Sequence, residues 1–86
     1  MADFAYDKTQ TFKIPNERER TTREILSAVY TALQEKGYAP INQIVGYILS
    51  EDPTYITNHK NARALICRID RDELIGSLFK IYLGIR

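Results

Sequence analysis

The run from Gly37 to Tyr55, GYAPINQIVGYILSEDPTY, constrains the fold of this chain more than any other segment. Gly37 is predicted to end one helix, because glycine adopts the positive φ that follows a helix end without strain. Pro40 is predicted to begin the next helix, since its fixed φ suits a first helical turn. Apolar residues then recur at helical spacing and predict one apolar face of this α-helix: Ile41, Ile44, Val45, Ile48 and Leu49.

Similar signals predict three further helices. Thr21 and Glu24 match a capping box, which predicts a first helix over residues 22–36. Asp70 has the position of an N-cap for a last helix. The predicted elements after the first are a second helix over residues 41–50, a single turn at 53–56, a third helix over 59–69 and a fourth over 71–83.

These elements predict an all-α fold, a compact bundle of four to five short helices over residues 21–86. Residues 1–20 have scattered apolar side chains and a charged run, which predicts a flexible N-terminal regulatory tail. Some of the aromatic residues in this tail are expected to dock on the helical domain. The fourth helix has an apolar stripe too wide for one neighbour, which predicts a homodimer.

Composition limits the possible partners and the location. The 86 residues suffice for one domain, and a net charge of +1 gives no support to indiscriminate nucleic-acid binding. The N-terminus lacks the features of a secretion signal, and no apolar run approaches the ~18 residues that span a membrane. Cys67 is the single cysteine, so no intrachain disulfide can form. We therefore expect a cytoplasmic protein without membrane insertion.

The sequence does not indicate an enzyme. His59 is the only histidine, and the chain has no group of residues with metal-ligand spacing and no glycine-rich phosphate loop. No cofactor, metal or catalytic residue is expected. Cys67 lies beside an apolar stripe and is interpreted as a half-buried structural thiol. The acidic group at residues 70–73 is interpreted as helix capping rather than as a catalytic pair.

Two features of the sequence have a structural and a functional interpretation. Gly46 lies inside a predicted helix, where it is either simply tolerated or marks the close approach of another helix backbone. Basic residues cluster near the third helix, where they form either an ordinary solvated face or a patch that binds an anion or a partner protein. The basic residues are His59, Lys60, Arg63, Arg68 and Arg71.

An ordered series of residues resembles the IreB family of small regulators from Gram-positive bacteria. The match extends over about residues 22–83 and includes Glu35–Tyr38, Asn42–Tyr47, Asp52-Pro53, His59-Lys60, Ala62-Arg63 and Arg71–Glu73. The resemblance implies an all-helical, dimeric, non-enzymatic regulatory protein. It also implies phosphorylation by a transmembrane Ser/Thr kinase with PASTA domains, and dephosphorylation by its partner phosphatase.

The resemblance further implies a role in the cell wall. Family members influence peptidoglycan synthesis and tolerance of cell-wall antibiotics, in some cases through Clp-dependent proteolysis of an early peptidoglycan enzyme. The family's acceptor threonine falls on Thr9, whereas a second acceptor of some members falls on Tyr6. Thr11 is a nearby alternative without positional support. The matching His59, Lys60 and Arg63 are the expected partner-binding residues.

A small helical DNA-binding module is the alternative hypothesis. Short helices joined by tight turns, one of them rich in arginine, can form a helix-turn-helix motif. The low net charge and the acidic residues beside Arg71 argue against this hypothesis.

Overall fold

A computed structural model describes residues 17–85 of the chain. Every regular element in this range is helical, which confirms the all-α prediction. The α-helices are α1 (Glu17–Glu35), α2 (Pro40–Ser50), α3 (Ala62–Ile66) and α4 (Arg71–Leu83), and single 3-10 turns span Pro53–Tyr55 and His59–Asn61.

The first helix begins five residues earlier than predicted, at Glu17 rather than at residue 22. Glu17 and Glu19 lie in its first turn, where acidic side chains interact favourably with the positive end of the helix dipole. Thr21 and Glu24 therefore lie inside α1 and do not cap it, so the capping-box prediction is wrong. The charged residues 17–20 are exposed, as expected for solvated charge.

The junction between α1 and α2 forms as the sequence predicts. Gly37 has a φ of 83°, in the left-handed region that favours glycine. The amide of Gly37 donates to the carbonyl of Gln34, and the amide of Tyr38 donates to the carbonyl of Leu33, each at 3.0 Å. This pair of bonds is a Schellman motif, which satisfies carbonyl groups at the end of α1. Pro40 is the first residue of α2.

The predicted third helix is not continuous. Lys60 and Asn61 have φ values of 53° and 65°, so the backbone passes through the left-handed region twice before α3 begins at Ala62. Asparagine tolerates this conformation better than most residues, which helps to place the break at Asn61. The helix expected over residues 59–69 is therefore a 3-10 turn followed by the five-residue helix α3.

The hydrophobic core lies between α1, α2 and α3. Val29, Leu33, Ile56 and Ile66 are its largest fully buried side chains, and α3 packs against α1. Within α4, which is described throughout, Leu74 is the one buried residue. The α4 helix begins at its predicted N-cap, because the carboxylate of Asp70 accepts a hydrogen bond from the amide of Glu73 at 3.2 Å.

The space around Gly46 is filled by a side chain. A Cβ atom at this position would lie 2.5 Å from Cε1 of Tyr55, a residue of the 3-10 turn after α2. Close approach therefore explains Gly46, but the approaching group is an aromatic ring and not another helix backbone. The amide group of Gln43 donates to the Tyr55 carbonyl at 2.8 Å and helps to hold the turn against α2.

Candidate functional site

The basic segment predicted to bind partners starts in a constrained backbone. His59 and Lys60 belong to the 3-10 turn that interrupts the predicted helix, and Lys60 has a positive φ. A residue other than glycine in this region costs on the order of 1 kcal/mol or more, and such conformations are concentrated at functional sites. The turn is fixed by tertiary contacts.

Glu35, the last residue of α1, holds this turn in place. Its Oε1 atom lies 2.8 Å from Nε2 of His59 and 3.2 Å from Nζ of Lys60. The hydrogen bond from His59, followed by the one from Lys60, lowers the pKa of the Glu35 carboxyl below its usual value. The carboxylate of Glu35 thus links the end of α1 to the turn and offsets part of the positive charge of the predicted patch.

Arg63 lies in α3 and is half-buried. Its Nε atom donates to the carbonyl oxygen of Ile56 at 2.9 Å, which fixes the guanidinium against the core. Within residues 17–85, no group accepts a hydrogen bond from the Nη atoms of Arg63. The outer edge of a guanidinium group has the spacing that binds a carboxylate or phosphate in a bidentate manner. Arg63 is therefore held in place by the Ile56 carbonyl.

The remaining basic residues do not extend this patch into one surface. Arg71 donates from Nη1 to the carbonyl of Ile48 at 2.8 Å, and its Nη2 lies 2.6 Å from Glu51 Oε2. Arg71 therefore joins the start of α4 to the end of α2. Arg68 lines a small polar cavity beside the first turns of α1. Arg68 and Arg71 therefore have surroundings other than those of His59, Lys60 and Arg63, the three residues predicted to bind partners.

Cys67 is exposed, so the prediction of a half-buried thiol is wrong. It follows α3 directly, where the short helix ends and leaves the side chain at the surface.

The pKa of the Tyr47 hydroxyl is raised above its usual value, first by burial and second by the neighbouring Cys67 thiol. In the range that the structure describes, no three histidine, cysteine or acidic residues are grouped as metal ligands.

The α4 helix has two apolar faces. One face, with Leu78 and Ile81, borders a groove of about 580 Å³ between α4 and the first half of α1. The other face contains Phe79, Tyr82 and Leu83, which do not line this groove. Their exposed fractions are 63%, 91% and 66%. Exposed apolar groups at this density are typical of protein interaction sites.

The predicted phosphoacceptor Thr9 lies outside the described residues, as do Tyr6 and Thr11. The structure therefore describes the surfaces that could receive the tail, but not the tail itself. None of the described helices combines the length and hydrophobicity that crossing a membrane requires. The five-residue helix α3 is also much shorter than the basic helix on which the DNA-binding alternative relied.

Residues 17–85 form a small helical domain with an exposed apolar face on α4. Comparison with known sequences identifies its family. A family described as the IreB regulatory phosphoproteins matches residues 7–84, so the chain belongs to the IreB family.

Three relatives described as UPF0297 proteins each align over 77 residues, 90% of this chain. The relative from Ruminiclostridium cellulolyticum is 58% identical, and the alignment covers 88% of its length. The relative from Acetivibrio thermocellus is 54% identical with 86% of its length covered. The relative from Lachnoclostridium phytofermentans is 51% identical with 88% covered. The chain thus corresponds to nearly the whole of each relative.

Proposed function

We propose that this protein is a non-enzymatic, cytoplasmic regulator whose binding to a partner protein is controlled by phosphorylation of Thr9. Its membership of a family of regulatory phosphoproteins is the observation that carries this proposal. The kinase is a transmembrane Ser/Thr kinase with PASTA domains, and a phosphatase reverses the modification. The regulated process is peptidoglycan synthesis, and with it tolerance of cell-wall antibiotics.

The partner-binding surface in this proposal is the basic patch of His59, Lys60 and Arg63. Arg63 supports this assignment, because its guanidinium is fixed by the Ile56 carbonyl while its Nη edge is left for a partner. A side chain that is already ordered loses less conformational entropy on binding. The partner is either a Clp protease system or an early peptidoglycan enzyme, and this protein regulates the degradation of that enzyme by the protease.

A homodimer is part of the same proposal. The outer face of α4, formed by Phe79, Tyr82 and Leu83, is the surface that supports it, because these side chains are largely exposed in the single chain. Sedimentation of a Phe79→Ser/Tyr82→Ser variant is expected to give a monomer. Tyr38→Ser is the matched control, since Tyr38 is a half-exposed aromatic residue in the α1–α2 junction and is expected to leave the dimer intact. A monomeric wild-type chain would contradict the dimer.

Phosphate mapping tests the assignment of Thr9. The full chain is incubated with ATP and the kinase domain of a PASTA-type kinase, and the product is analysed by intact mass and peptide mapping. We expect one phosphate, lost in Thr9→Ala and retained in the matched control Thr11→Ala. No phosphate, or phosphate on the helical domain alone, would remove the proposed mechanism.

The partner surface is tested separately. Unphosphorylated wild type and Arg63→Ala are compared as immobilised chains for capture of a purified Clp protease complex and of the early peptidoglycan enzyme. Arg68→Ala is the matched control, because Arg68 lies outside the patch. Loss of capture in Arg63→Ala and retention in Arg68→Ala are expected. Equal loss in both variants would indicate nonspecific charge and contradict the patch.

A further inference from the structure

We propose that the groove between α1 and α4 is the docking site for the chain's own N-terminal segment, residues 1–16. The segment ends immediately before Glu17, and the groove begins at the next residue, Arg18. No linker is therefore needed between the segment and its site. A second copy of the chain and a separate partner protein are the competing occupants.

The groove has an apolar floor and is open to solvent. Leu26 is half-buried on the α1 side, whereas Leu78 and Ile81 are 47% and 63% exposed on the α4 side. Covering these side chains would remove apolar surface from water, which is favourable by roughly 25 cal/mol per Å².

The N-terminal segment has the composition to cover this floor. Besides Met1 it contains four large apolar residues, and the pair Pro15-Asn16 supplies two residues that favour a turn just before α1. A turn at this point would send the preceding residues back along the groove. The four apolar residues are Phe4, Tyr6, Phe12 and Ile14.

The rim of the groove would respond to a phosphate on Thr9. Five charged residues line it: Arg18, Arg23 and Lys80 are basic, whereas Glu19 and Glu73 are acidic, so the basic residues outnumber the acidic ones by one. Arg18 is paired with Glu73 at 2.8 Å. A phosphothreonine adds about −1.5 to −2 charges, and arginine and lysine are its usual partners in proteins. Phosphorylation of Thr9 is therefore expected to strengthen the docking. This effect rests on the proposed modification of Thr9, but docking of the unmodified segment does not.

Distance favours the groove over His59 and Lys60 as the site of this phosphate. The patch residues His59 and Lys60 contact Glu35, which is 18 residues and so ~27 Å along α1 from Glu17. Thr9 precedes Glu17 by eight residues, which span at most ~26–29 Å when fully extended. Thr9 could thus approach Glu35 only with the chain fully stretched, whereas the groove lies beside the start of α1.

A spin-label experiment on the full chain tests the docking. Cys67→Ser removes the native thiol, and Gln10→Cys places the label beside Thr9. The methyl groups of Leu26 and Ile81 are expected to broaden strongly, and those of Ile41 on α2 much less. Ile81→Asp should abolish the selective broadening, whereas the matched control Leu49→Asp should preserve it. Both substitutions affect exposed residues, so neither threatens the fold.

The outcomes separate the possible occupants. Uniform or absent broadening in the unmodified chain would overturn the docking. Broadening seen only between differently labelled chains in a mixture would assign the groove to a second copy and also overturn it. Phosphorylation of Thr9 should increase the broadening at Ile81, and Arg23→Ala should remove that increase. If docking occurs but Thr9 is not a kinase substrate, the proposed function fails while this inference stands.

Discussion

The ring of Tyr55 lies directly against Gly46, so that a Cβ atom on Gly46 would stand 2.5 Å from Cε1 of Tyr55. This contact joins the middle of α2 to the 3-10 turn that follows it. The absence of a side chain at residue 46 is therefore a packing requirement, although glycine costs a helix interior about 1 kcal/mol relative to alanine.

The effect of Gly46→Ala on the free energy of unfolding should depend on residue 55, with opposite signs for tyrosine and alanine. In the wild type, the added methyl group displaces the Tyr55 ring, and we expect a loss of about 1–2 kcal/mol in the free energy of unfolding. In a Tyr55→Ala background the methyl group meets no ring, so the same substitution should stabilise by up to about 1 kcal/mol. Urea denaturation of the four proteins in this cycle measures both values. Equal effects in the two backgrounds would contradict the contact.

The attachment of α4 to the rest of the fold should depend on Arg71. Arg71→Ala would leave the Ile48 carbonyl without its donor, and we expect a loss of about 1–2 kcal/mol. Glu51→Gln removes only the exposed ion pair with Arg71 and should cost less than about 0.5 kcal/mol. Arg68→Ala is the matched arginine control and should have little effect. Denaturant midpoints and amide exchange in α4 are the measurements, and equal losses in Arg71→Ala and Arg68→Ala would argue against this attachment.

Sequence reasoning succeeded where a signal was local. Gly37, Pro40 and Asp70 each marked a helix boundary through their own backbone or capping chemistry, and the structure confirms all three. Prediction from the sequence is wrong where residues distant in the chain determine the backbone conformation. The break at Lys60 and Asn61 is accompanied by contacts to Glu35, which lies more than twenty residues earlier and gives no local sign of them.

The candidate site shows the same limit. The sequence identifies the basic residues His59, Lys60 and Arg63 but not the groups that they contact, because those contacts depend on tertiary packing. Tertiary packing also places Arg71 at the junction of α2 and α4. The start of α1 was missed because the favourable charges at Glu17 and Glu19 were interpreted as tail, while the capping pattern at Thr21 suggested a later start.

The contribution of Glu35 to the stability of the fold should be lost at acid pH. Because hydrogen bonding lowers the pKa of Glu35 in the folded state, its contribution is present above the unfolded-state pKa of about 4.5. That contribution is lost as the pH falls through the lower pKa of the folded state. The stability difference between wild type and Glu35→Gln should therefore shrink below this range. Denaturant titrations from pH 3 to pH 7 measure it, and a difference independent of pH would contradict the assignment.

The N-cap of α4 should be visible in a comparison of two neighbouring aspartates. Asp70→Ala removes the acceptor of the Glu73 amide and should cost about 1 kcal/mol. Asp72→Ala removes a carboxylate from the same first turn without removing the cap, and should cost about 0.3–1 kcal/mol through the helix dipole. Thermal unfolding of the two variants gives the comparison, and a larger loss in Asp72→Ala would show that Asp70 does not cap the helix.

The most direct test of the account is the NMR spectrum of the full chain before and after phosphorylation of Thr9. A phosphate in the N-terminal segment can regulate partner binding within the chain only if its effect reaches the helical domain. We predict that resonances of Leu26, Leu78 and Ile81 change on phosphorylation, with Ile41 and Leu49 as unaffected references. Changes confined to the few residues around Thr9 would contradict a switch that acts through the helical domain.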